Sequence, residues 1–118
     1  MTRSDFDLLE LDTAEGVHAG HFRIPQDSPF FDGHFPDSPL LPGVAQVRLV
    51  TSLLATACKS PVRVLTLHRV KFSSPVRPGA IIDFRIEPLP AKGRIAWKFS
   101  DARAEVSTGE LSLAKNSP

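Results

Sequence analysis

The sequence contains a single cysteine, no apolar run long enough to cross a bilayer and no cluster of metal-ligand residues, and each absence removes a class of protein. A membrane-spanning helix needs roughly 20 consecutive apolar residues, and none occur here. The opening, MTRSDFDLLELD, is acidic and has no hydrophobic secretory stretch, so a cytoplasmic location is expected. Cys58 alone cannot form an internal disulfide, which agrees with a reducing compartment, and it reads as a core residue near a helix end. His18, His21 and His68 lack metal-ligand spacing with Cys58 or with each other, so they read as strand residues and no metal site is expected. There is no Gly-x-Ser-x-Gly elbow, phosphate loop or dinucleotide fingerprint. The lack of an arginine-rich run argues against nucleic acid as a partner.

What is present is ordinary globular composition: 118 residues, 42% hydrophobic and 23% charged, enough for one domain over residues 1–118 with one modest core. Eleven prolines imply many turns and disfavour an all-helical bundle. The net charge is only +1, but it is unevenly placed. Residues 1–58 hold three Lys/Arg against eight Asp/Glu, whereas residues 59–98 hold nine Lys/Arg against Asp83 and Glu87 alone. A basic middle fits either a docking surface for an acidic partner or the solvated faces of several strands.

Periodicity gives the elements. Val17 to Pro25 reads as a short entry strand with Val17, Ala19 and His21 on one side. Residues 26–43, QDSPFFDGHFPDSPLLPG, hold four prolines, two glycines and three phenylalanines, an irregular loop with apolar side chains to bury. After Pro42, VAQVRLVTSLLATACK has apolar residues at 44, 47, 50, 54 and 57 or 58, the spacing of a helix ending near Lys59 before Pro61. Further apolar residues at 45, 49, 53 and 55 widen the stripe, so protein should surround the helix and Arg48 should be a charge on a buried element. Beyond Pro61 the pattern is strand: Val62 to Ser73, then Ile82, Phe84 and Ile86 in alternation, then Ile95, Trp97 and Phe99. A last stretch runs through Ala104, Val106, Leu111 and Leu113, with a change of phase that predicts a bulge or tight turn at Gly109. The sum is α+β, antiparallel strands able to wrap one helix.

Two blocks narrow the reading. FFDGHFPDSPLLPGV contains Gly33, His34, Phe35, Pro36, Pro39, Pro42, Gly43 and Val44 in an order that resembles the signature of dehydratases acting on 3-hydroxyacyl chains held by acyl carrier protein. VKFSSPVRPGA, residues 70–80, is similar to that family's second strand and turn. The phrasing PLLPGVAQ at 39–46 looks closest to the branch found with aryl-polyene-type pigment pathways. The resemblance implies a hot-dog fold, an antiparallel sheet wrapped around one long helix and usually paired into a dimer. It also implies that no cofactor is needed beyond the phosphopantetheine arm of the acyl carrier protein.

Dehydration of such a thioester needs a base at C2, a donor for the thioester oxygen and an acid for the departing hydroxyl. The resemblance gives the base to His34, whose ordinary pKa suits proton transfer near neutrality, in an apolar setting with Phe30, Phe31 and Phe35. Outside that motif, a histidine tying down a proline-rich loop would be the simpler reading. The donor is the backbone N–H of Gly43, where helix-end amides and the dipole converge. Phe31, Gly33, Phe35, Pro36, Pro42, Val44 and Gln46 make up the expected substrate-binding surface, Gln46 by a further hydrogen bond.

The acid is where the pattern departs: the family's helix Glu or Asp falls at Arg48, which protonates nothing near neutrality. Arg48 orients water or a substrate carboxylate, Asp37 or Asp32 substitutes, or the chain is the inactive half of a heterodimer. The leading expectation is a 3-hydroxyacyl-thioester dehydratase with Arg48 in its site. The alternatives are a noncatalytic hot-dog subunit that pairs with an active dehydratase or binds acyl carrier protein, and an acyl thioesterase.

Overall fold

The computed structural model describes residues 4–32 and 41–114. Six strands form one antiparallel sheet in the order β1-β2-β4-β5-β6-β3: β1 Asp7–Ala14, β2 Val17–Arg23, β3 Val64–Phe72, β4 Ile81–Leu89, β5 Arg94–Ser100 and β6 Glu105–Leu113. One helix, α1 Gly43–Cys58, lies between β2 and β3 in the chain. The alternation read in β4 is borne out, with Ile82, Phe84 and Ile86 buried and Asp83 and Arg85 exposed. Register then carries that face across the sheet, because Phe84 pairs with Phe99 and Ile86 with Trp97. Phe22 joins them from β2, its ring edge-on to Phe99 at 5.3 Å between centroids. Leu49, Val50 and Leu53 of α1 are fully buried in the same core. Each such side chain contributes about 1.5–3 kcal/mol by leaving water.

The helix has the expected limits but not the expected surroundings. Pro42 is the residue that precedes it, with Gly43 in the first helical position, and Lys59 ends it in the left-handed region at φ 54°. Its buried residues are Ala45, Gln46, Leu49, Val50, Leu53 and Leu54. One face meets the sheet, and the opposite face carries Val44 and Arg48 out into solvent. Arg48 is therefore not a buried charge, since a single sheet covers a single side of a helix. Cys58, expected in the core, is exposed because it sits at the last helical position, beyond the buried stripe.

Two strand expectations also change. The acidic N-terminal stretch is itself a strand, β1, so β2 is the second strand rather than the first. Within β2 it is Phe22, on the side opposite Val17, Ala19 and His21, that is buried. At the other end of the chain, β6 runs uninterrupted through Gly109. The phase change occurs instead at Val106 and Ser107, where the register against β5 shifts and both residues turn inward. Gly109 answers a different need: a Cβ there would lie 2.4 Å from the Trp97 ring, which covers the glycine and donates its indole N–H to Ser107 Oγ at 3.2 Å.

Candidate active site

The start of α1 is where the sequence motif meets the core. Ala45 and Gln46 both donate their N–H to Pro42 O, at 3.1 and 3.2 Å. The N–H groups of Gly43 and Val44 come before the first turn closes and have no acceptor within the helix. Together with the helix dipole they make this end a place for a developing negative charge.

Two neighbours fix it. Leu41 N–H donates to Val76 O at 2.8 Å, tying the helix entry to the loop after β3. The Phe72 ring, at the end of β3, lies on Gly43 so closely that a Cβ there would be 2.7 Å from it. Glycine is favoured at this position by that contact rather than by backbone angle. Phe31, in a 3-10 turn at Pro29–Phe31 held by Ser28 Oγ on Phe30 N–H, is buried in the same core.

Of the residues expected in the site, Pro42, Gly43, Val44 and Gln46 make up the helix start, and Phe31 is buried in the core that the helix packs on. Gly33, His34, Phe35, Pro36 and the alternative acid Asp37 lie outside the described residues. Asp32 follows the Pro29–Phe31 turn directly, and its backbone N–H caps it on Pro29 O. Arg48 is on the exposed face of α1 and Val44 is 69% exposed, so both point away from the sheet. Gln46 is the opposite: only 3% exposed, with its Oε1 buried and without a hydrogen-bond partner.

A cleft of about 700 Å³ lies between the β3–β4 loop and the β5–β6 turn, lined by Ser74, Arg77, Arg103 and Asp101 among others. It is lined by none of the expected site residues, although Ser74, Pro75, Arg77, Gly79 and Ala80 of the second sequence block border it. Backbone N–H groups of Arg103 and Ala104 hold the Asp101 carboxyl below its usual range. The basic residues of the chain's middle lie mostly on solvated strand and turn positions: Arg63, Arg69, Lys71, Arg77, Arg85, Lys92 and Lys98 are exposed. His18, His21 and His68 are all strand residues, as read; His18 bonds Thr13 and His68 bonds Thr66, each at 2.8 Å.

One helix against a six-stranded antiparallel sheet is the hot-dog architecture, and comparison with known proteins agrees. The model of the ApeI-like family, described as ApeI dehydratase, matches residues 10–110. The chain belongs to that family, and it is a dehydratase. It is 29% identical over 106 residues to a 3-hydroxyacyl-[acyl-carrier-protein] dehydratase of Rhizobium etli, covering 83% of this chain and 67% of that one. The corresponding enzyme of Natranaerobius thermophilus is 32% identical over 102 residues, covering 76% and 72%. Among solved structures, the dehydratase heterocomplex ApeI:P of Xenorhabdus doucetiae superposes with a TM-score of 0.81 at 25% identity, over 92% of this chain and 96% of that one. A pyran synthase domain from the sorangicin pathway shares the fold at a TM-score of 0.69 and 18% identity, over 94% of this chain and 41% of that one.

Proposed function

We propose that the chain removes water from a 3-hydroxyacyl thioester on acyl carrier protein, giving the trans-2-enoyl thioester, as one half of a two-chain hot-dog assembly. The observation that carries this reading is the Pro42–Gly43–Val44 helix start, whose first N–H groups face no acceptor within the helix, in a chain of a dehydratase family. Those groups hold the thioester oxygen as enolate charge develops. His34 takes the C2 proton, the C2–C3 double bond forms, and the C3–O bond breaks with the hydroxyl leaving as water.

The proton for that hydroxyl does not come from α1 of this chain, because Arg48 occupies the carboxylate position. It comes from the second chain or from an acid of the motif loop. The partner is a second copy or a related hot-dog chain; the similar dehydratase ApeI:P is itself a heterocomplex. This is supported by the exposed face of α1 and by Leu67 and Phe72, apolar residues of the open edge strand β3 that remain half-exposed. The carrier is drawn by the basic residues of the middle of the chain. No cofactor enters beyond the carrier's phosphopantetheine arm.

The test is turnover of a 3-hydroxyacyl-carrier substrate followed by mass spectrometry. Wild type should form the enoyl product, and His34→Ala should lose at least about 100-fold. A silent wild type, with activity gained in Arg48→Asp, would favour the noncatalytic subunit. Release of free acid instead would indicate a thioesterase.

A further inference from the structure

Gln46 is the one buried side-chain oxygen among the described residues with no hydrogen-bond partner. Such a group carries a desolvation cost that nothing in the free protein offsets. Native interiors leave few of them, and each calls for a cause. An apolar residue would fit this face as well as its neighbours Ala45, Leu49 and Val50 do. The cause therefore lies outside the packing of the free protein.

Position supplies it. Gln46 lies in the first turn of α1, three residues after Gly43, and helix side chains lean toward the N-terminus. Its carboxamide is thus carried back toward the end where the Gly43 and Val44 N–H groups have no acceptor within the helix. Donors for a carbonyl oxygen and an orphan acceptor stand one helical turn apart. A substrate that satisfies both has a carbonyl and, two carbons away, a group that donates a hydrogen bond.

We infer that the Gln46 carboxamide is the recognition point for the substrate's 3-hydroxyl, so that this residue selects a hydroxylated acyl chain over a saturated one. The inference rests on the dehydratase reading and adds the residue that reads its substrate. A hydroxyl both donates and accepts, so it satisfies the carboxamide whichever way the amide is turned. The enoyl product has no such donor, which favours its release. A neutral amide binds the hydroxyl without protonating it, leaving the acid step to another group.

The test separates binding from turnover. Calorimetry would compare a 3-hydroxyacyl pantetheine amide, an isostere whose C2 protons are not acidified, with its 3-deoxy counterpart. Wild type should bind the hydroxylated amide about tenfold more tightly. Gln46→Met should bring the two to within about twofold while the free protein melts no lower, because the substitution removes an orphan acceptor from the core. Equal binding of both amides by wild type, as expected if the carboxamide serves only a bound water, would overturn the inference. So would a Gln46→Met protein that keeps the preference, or one that melts lower and loses both ligands equally. In each of these cases turnover by wild type would leave the dehydratase reading standing; a wild type that binds neither amide and turns nothing over would remove both.

Discussion

Strands β1 and β3 are the two edges of the sheet, and they meet solvent with different chemistry. Along β1 the exposed residues include Glu10 and Asp12, Asp7 pairs with Arg23 at 3.0 Å, and the register breaks between Leu8 and Glu10. Charge and a bulge are what edge strands use to discourage further pairing. Strand β3 carries Arg69 and Lys71, but Leu67 and Phe72, opposite the buried Leu111 and Ser107, are 46% and 48% exposed. Its end also touches Gly43 through Phe72. One edge is finished within the chain; the other is continuous with the site and leaves core-side apolar groups open, as surfaces awaiting a partner do.

Charging the two edges in turn sharpens that contrast most. Leu67→Lys should abolish assembly with the second chain, read by light scattering, and lower turnover about 100-fold, since loss of alignment alone costs that much. Leu9→Lys on β1 should leave both unchanged. Equal damage from both substitutions would break the comparison.

Glycines packed against the two edges give the next test. A Cβ on Gly20 would stand 1.9 Å from Glu10 O, a backbone atom that cannot swing away. Gly20→Ala should therefore displace β1 and cost about 3 kcal/mol in denaturant unfolding. At Gly43 the obstacle is the half-exposed Phe72 ring, which can turn. Gly43→Ala should cost less than about 1 kcal/mol in the same measurement yet reduce turnover about tenfold, because methyl and displaced ring crowd the N–H groups. A Gly43→Ala protein with full turnover would remove the helix start from the chemistry.

The same contrast explains what could be read from sequence. Ile82, Phe84 and Ile86 announced β4 because one face is buried and the other wet, and Pro42 and Pro61 bracketed α1. In DLLELDTA, Leu8 and Leu9 are adjacent and the strand is bulged between Leu8 and Glu10, so no period of two survives to mark β1. Gly109 was legible as special but not as the seat of Trp97, which comes from another strand. Counting apolar residues on α1 overstated its burial, because spacing does not reveal how many layers cover a helix. The start of α1 at Gly43 followed from the motif. The isolation of Gln46 did not, since an unpartnered atom is visible only once every neighbour has been placed.

The smallest expected effect concerns charge beside the β3 edge. Glu110, opposite His68 of β3, accepts from Arg94 at 3.2 Å and lies 3.6 Å from Lys92. The Arg94 hydrogen bond, helped by the Lys92, Arg94 and Arg69 charges and opposed by desolvation, holds its carboxyl below the ordinary 4.5. A pKa lower in the folded than in the unfolded chain gives stability that is present above the unfolded value and is lost as pH falls through the folded one. Thermal unfolding followed from neutral pH into the range below 4.5 should accordingly show a flatter acid limb in Glu110→Gln than in wild type. The difference should be small, because solvent screens these pairs. If the acid limb keeps its slope, the acid-sensitive group lies elsewhere, and Asp101→Asn in the β5–β6 turn becomes the variant that should flatten it.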